Sequence, residues 1–198
     1  MRKTTKTYNV YKYDELSKEV QEKLLEEYAQ QEQYYYIEDT LYADMIDESI
    51  YILPEYFKGA KFDNVCFDLD YSQGSGSMIE FTIDLEDLND KYKILTDKQL
   101  KTITDMGGTE IKVYHDSNIY CHERTFSISE YLEIDDDKLL KKVNHMIYNL
   151  FHSDIISMNK ELTIRGYKMI GNEEYFKENA LNTLNELEFL EDGSVFNE

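Results

Sequence analysis

The sequence predicts an α+β fold, an antiparallel sheet of four to six strands flanked by N-terminal and C-terminal helices. Three observations point there. Apolar residues recur at helical spacing near both ends of the chain, over about 18–53 and 135–187. Between those stretches lie short runs rich in β-branched and aromatic residues, separated by turn formers. At 198 residues, 41% apolar and 14% aromatic, the chain can bury a sizeable core, and residues 1–198 read as one domain with no linker.

The elements follow in order. Tyr8–Tyr13 (YNVYKY) reads as a short strand. Ser17 is a natural N-cap for a helix over 18–32, with Val20, Leu24 and Tyr28 as its apolar stripe. A second helix fits 37–53, with Leu41, Met45, Ile46, Ile50 and Leu53 inward, and Pro54 is expected to end it. Val65, Phe67 and Leu69 alternate with polar neighbours, and Met78–Ile83 resumes the strand pattern. Thr96 caps a helix to 106, with Leu100, Ile103 and Met106 on one face and Gly107-Gly108 closing it. Thr109–His115 and Ile119–Ile128 form an antiparallel pair around Asp116-Ser-Asn118. Asp135–Asp137 open the longest helix, to about 159, where acids complement the helix dipole. Its apolar face holds Leu139, Val143, Met146, Leu150 and Phe151. A last helix over 172–187 carries Phe176, Ala180, Leu184 and Leu187, followed by a hairpin-like tail, Phe189 to Phe196.

Charge is the strongest compositional signal. Forty-one acids against twenty-one lysines and arginines give −20. Residues 14–58 hold thirteen acids against three lysines, and residues 171–198 hold eight against Lys177 alone. Such a surface repels phosphate, so direct nucleic-acid binding is not expected, and a basic partner is the natural complement. No run of 18 apolar residues and no secretory leader is present, so a cytoplasmic protein without a membrane span is expected. Eighteen tyrosines stand with no tryptophan. Tyrosine is enriched at interfaces, and Tyr34, Tyr35 and Tyr36 cannot all enter one core from a single helix or strand.

The stretch DLDYSQGSGSMIEFTIDL, Asp68–Leu85, invites two ligand readings and sustains neither. Asp68, Asp70 and Ser72 match the first three ligand positions of a calcium loop, but Gln73 stands where glycine is required and Ile79 where glutamate is. Gly74-Ser-Gly76 lacks both the GKS/T ending of a P-loop and the third glycine of a dinucleotide fingerprint. An architectural hairpin remains. Cys66, Cys121, His115 and His122 are the residues from which zinc ligands would be drawn. His115 and His122 fall on different strands, however, and neighbours such as Cys121 and His122 point to opposite faces. His145 and His152 lie two helical turns apart. No metal ligand, cofactor or catalytic residue is therefore assigned, and two buried free thiols are expected.

The helical acids form a more specific pattern. Glu15, Glu19, Glu22 and Glu26 recur three or four residues apart, and Asp39, Asp44, Asp47, Glu48 and Glu55 extend the acidity along the second helix. Side chains at this spacing lie about 5–6 Å apart between Cβ atoms, comparable to successive phosphates along a strand.

YKYDELSKEVQEKLLEEY (11–28), FDLDYSQGSGSMIEF (67–81) and EFLEDGSVF (188–196) resemble, in that order, a family of acidic bacteriophage proteins with no shared catalytic motif. Members of that family begin with a similar Asp-Glu-Leu-Ser passage and carry an aromatic-Ser-Gln-Gly-(Asp/Ser)-Gly hairpin. This chain has Ser75 between its glycines and lacks the tryptophans common after the family's first helix. The resemblance implies a phage-encoded, non-enzymatic inhibitor of a host nucleic-acid-binding defence protein, a CRISPR effector or restriction nuclease. The expected partner-binding residues are Glu15, Glu19, Glu22, Glu26, Asp44, Asp47 and Glu48 for charge, and Tyr34, Tyr35 and Tyr36 for contact area. An antitoxin-like or regulatory binding module using the tyrosine-rich surface is the alternative, and an enzyme centred on Ser72–Ser77 comes third.

Overall fold

The structure, a computed structural model, describes residues 6–107, 109–117, 120–130, 134 and 136–197. It is an α+β fold with one four-stranded antiparallel sheet, at the lower end of the expected strand count. In chain order the elements are α1 (Lys18–Tyr35), α2 (Leu41–Tyr56), β1 (Lys61–Asp68), β2 (Gly76–Asp84), α3 (Leu85–Tyr92), α4 (Asp97–Met106), β3 (Glu110–His115), β4 (Phe126–Glu130), α5 (Asp137–His145), α6 (His152–Ile170) and α7 (Glu173–Glu186). One-turn π segments, Tyr36–Thr40 and Met146–Phe151, follow α1 and α5. Among the described residues no helix is long and apolar enough to cross a membrane.

The fold divides into two compact units. The helical unit comprises the residues up to Tyr42 and those from Met169 onward. There α1 lies against α7, and Tyr13, Leu16, Leu24, Leu184 and Phe189 form a buried cluster. Ser17 caps α1 as expected, its Oγ accepting from Val20 N at 3.4 Å. The expected strand at Tyr8–Tyr13 reduces to one bridge, in which Tyr11 and Phe189 exchange two 2.9 Å backbone bonds. A 3-10 turn, Tyr13–Glu15, takes over immediately, closed by Lys12 N donating to Glu15 Oε2 at 2.8 Å.

The sheet unit, Ala43–Lys168, holds all four strands in the order β1-β2-β3-β4. Most of β2 is buried on both faces, with Met78, Ile79, Phe81 and Ile83 inside. Phe57, Phe81 and Phe151 pack as an aromatic trio with ring centroids 5.0–5.9 Å apart. Asn159 on α6 is fully buried, and its amide is satisfied at both ends: Oδ1 accepts from Ile79 N (3.1 Å) and Nδ2 donates to Glu123 O (3.3 Å). Thr96 and Asp136 cap α4 and α5 as their sequence positions require.

Several expectations need correction. Pro54 does not stop α2, which runs on to Tyr56 with Pro54 in its last turn. Proline there removes one N–H, and the carbonyl it orphans belongs to Ile50, which faces solvent. Ile50 is 51% exposed, not inward, and the core position goes to Ser49, whose hydroxyl is satisfied by Met45 O at 2.6 Å. Met106, at the frayed end of α4, is also exposed. Asp84 opens an unanticipated helix, α3, which buries Leu85, Leu88 and Asn89. The strand expected from Ile119 begins at Phe126 instead; Asn118 and Ile119 lie outside the described residues, as do Gly108 and Asp135. The long helix continues to Ile170, beyond the expected 159.

Candidate functional site

Two groupings of chemically capable side chains stand out, one in each unit. The first is the acidic face of α1. Glu19, Glu22 and Glu26 are exposed there and take part in no ion pair among the described residues. Glu22 and Glu26 border a groove of about 590 Å³ whose other walls include Leu25, Ala29 and Phe176, with Glu173 and Lys177 on α7. Tyr34 and Tyr35 point outward, 60% and 50% exposed, because successive helical positions diverge by about 100°. Tyr36 turns inward to meet Tyr175 and Phe176, with ring centroids 6.2 and 5.6 Å away.

The remaining acids expected to contribute fare differently. Glu15 is exposed but is committed to the turn before α1. Asp44, Asp47 and Glu48 stand on the part of α2 that belongs to the sheet unit. Asp47 is exposed and Asp44 half-buried. Glu48 is not a free charge: Arg165 donates to it at 2.7 Å while also holding Glu161, so that acid is neutralised within the fold.

The second grouping draws on three of the four residues that the sequence offered as zinc-ligand candidates, which were not expected to come together. Of the two thiols expected to be buried, Cys121 is buried and Cys66 is half-buried. Cys66 on β1, His115 at the end of β3 and Cys121 in the β3–β4 connection bring their ligand atoms within 4.8 Å of one another. Cys66 Sγ lies 3.9 Å from His115 Nε2, and that nitrogen also donates to Tyr120 O at 2.7 Å. The connection reaches the sheet because residue 76 is glycine. A Cβ there would stand 3.2 Å from His122 Cα and 3.3 Å from Cys121 O. The Met78 N–H donates to the Cys121 sulfur, and the neighbouring Cys121 thiol donates to Cys66, holding the Cys66 thiol down to about 7. Cys121 moves the other way, raised by the same thiol hydrogen bond to Cys66 and by burial. His122 turns aside and pairs with Glu123 at 2.8 Å.

The glycine-rich hairpin is held by its own side chains. Ser72 N (2.7 Å) and the Ser75 hydroxyl both donate to Asp70 Oδ1. Those bonds hold the Asp70 carboxyl down to about 2. Tyr71 adopts a left-handed φ of 62° and stacks on Tyr167 at 4.4 Å. Gln73 is exposed and engages none of the described residues.

Comparison of the chain with protein-family models, with curated proteins and with solved structures finds no match in any of the three.

Proposed function

We propose that the protein is a non-catalytic acidic binder that occupies the basic groove of a host nucleic-acid-binding defence protein, a CRISPR effector or restriction nuclease, in the setting of phage infection. One observation carries the reading: Glu19, Glu22 and Glu26 are aligned, exposed and free of ion pairs among the described residues. Like charges at this spacing destabilise a free helix by a few tenths of a kcal/mol each. A basic partner turns that cost into attraction and speeds encounter. The groove beside Glu22 and Glu26 suits lysine and arginine, whose stems pack on Leu25, Ala29 and Phe176 while their heads meet carboxylates.

The test is capture from host lysate at about 50 mM salt, followed by stepwise elution toward about 500 mM, a range over which exposed charge pairs are screened. The expected result is a basic nucleic-acid-binding protein that elutes with salt and is not retained by the E19K/E22K/E26K variant. Equal retention by that variant would overturn the assignment of the surface. The exposure of Tyr34 and Tyr35 favours the second reading, an antitoxin-like or regulatory module, and binding that resists salt would select it.

A further inference from the structure

The Cys66, His115 and Cys121 side chains come from three separate pieces of the sheet unit, 49 and 6 residues apart, and converge on one point. Such convergence has a chemical reading. A tetrahedral zinc ion with sulfur at roughly 2.3 Å and imidazole nitrogen at roughly 2.0–2.1 Å places those donors about 3.6 Å apart. The observed sulfur–nitrogen separation is 3.9 Å, and no pair in the trio exceeds 4.8 Å. Movements of about an ångström or less would complete the geometry. Two further features suit a cation. The Met78 N–H donates to the Cys121 sulfur and would go on donating to a metal-bound thiolate there. The carboxylates of Asp68 and Glu80 stand close enough to act on Cys66, and Glu80 also fixes the end of β3 by accepting from His115 N at 2.8 Å.

We propose that Cys66, His115 and Cys121 bind one zinc-class divalent cation through two thiolates and one neutral imidazole. The fourth tetrahedral position is left to water or to an exogenous donor. Soft sulfur donors select zinc or cobalt over calcium and magnesium. On binding, the two thiol protons pass to solvent. His115 changes to its other neutral tautomer, giving up the Nε2 proton to solvent and taking one at Nδ1, so that the Nε2–H bond to Tyr120 O gives way to a coordinate bond. The ion would tie β1, the end of β3 and the β3–β4 connection together at a place where β3 has already left its pairing with β2. That pairing ends at Phe81 and Val113, two residues before His115.

Cobalt titration of the reduced, metal-stripped full chain tests this directly. One equivalent should produce the visible bands of tetrahedral cobalt with near-ultraviolet thiolate charge transfer, and one equivalent of zinc should erase both. Cys66→Ser and Cys121→Ser should each weaken the thiolate bands. His115→Ala should lower zinc affinity by more than about a hundredfold, beyond the 10–100-fold loss that follows when only an outer partner of a ligand is removed. Circular dichroism of each variant establishes that it is folded. A measurement that needs no variant is zinc protection of Cys66 against alkylation in the unaltered chain, which should be stoichiometric. Octahedral cobalt bands, an unchanged spectrum in Cys121→Ser, or no protection by zinc would overturn the proposal. So would a Cys66–Cys121 disulfide that forms in air at the same rate with and without equimolar zinc.

Discussion

The helical unit and the sheet unit carry the same net charge on very different amounts of chain. Residues 1–42 and 169–198 hold 17 acids against 7 lysines and arginines, a net of −10; residues 43–168 hold 24 against 14, also −10, over nearly twice the length. Three lysines and arginines in each unit enter ion pairs among the described residues: Lys91, Lys93 and Arg165 in the sheet unit, and Lys12, Lys23 and Lys177 in the helical unit. Arg165 engages Glu48 and Glu161, and Lys91 bonds Asp154 at 2.6 Å while lying 4.5 Å from the Phe57 ring centre. The helical unit leaves Glu19, Glu22 and Glu26 without such partners among the described residues. Charge density is thus a matter of where cations are placed as much as how many acids there are. The pairs at Lys91 and Arg165 in the sheet unit are half-buried, whereas those of the helical unit and its three unpaired α1 acids are exposed.

The strongest way to break that contrast is in the cores. Phe81→Ala should cost the sheet unit about 3–5 kcal/mol, and Leu184→Ala should cost the helical unit about 2–5 kcal/mol. Hydrogen exchange should show each loss in the unit that carries the substitution. Next comes the buried amide. Asn159→Ala orphans Ile79 N and Glu123 O and should destabilise by about 1–3 kcal/mol for each group that water does not reach, measured by urea titration. Gly76→Ala should push the Cys121 segment off the sheet and weaken cobalt binding without lowering helicity. The E19K/E22K/E26K variant should leave folding within about 0.5 kcal/mol of the parent while removing salt-sensitive binding. The smallest effect concerns the hairpin. Because the Asp70 carboxyl is held down to about 2 by Ser72 and Ser75, its contribution is present above the ordinary carboxylate range and is lost as pH falls through about 2. Carboxyl-carbon NMR should show that late titration, and Ser75→Ala should move it toward the ordinary value.

Local signals in the sequence predict the local structure well. Ser17, Thr96 and Asp136 each cap a helix because capping depends only on a side chain and the next three residues. The meander is likewise visible in alternating runs such as Val65–Leu69. Features that depend on distant neighbours were hidden. Ile50 and Ser49 exchange their expected places because the core around α2 is shaped by elements far along the chain. The helix at Leu85–Tyr92 offers only two leucines as an apolar signal. Of the candidate surface, the exposed α1 acids follow from helical spacing. The division of Tyr34 and Tyr35 from the inward Tyr36, by contrast, depends on α1 running past the expected end at 32. The neutralisation of Glu48 requires Arg165, 117 residues later. The meeting of Cys66, His115 and Cys121 depends on a close backbone approach at Gly76, for which the only sequence hint is a glycine at the start of a strand.

The outward pair at the end of α1 has a spectroscopic consequence. With eighteen tyrosines and no tryptophan, the chain has no indole emission of its own. A Tyr34→Trp substitution would place a lone indole on the surface, 60% exposed in its parent residue and next in the chain to Gln33, which lines the acidic groove. Its emission maximum would lie to the red in the free protein and shift to the blue when a partner covers it. The exposed rings at this helix end thus offer a position for an optical gauge of occupancy.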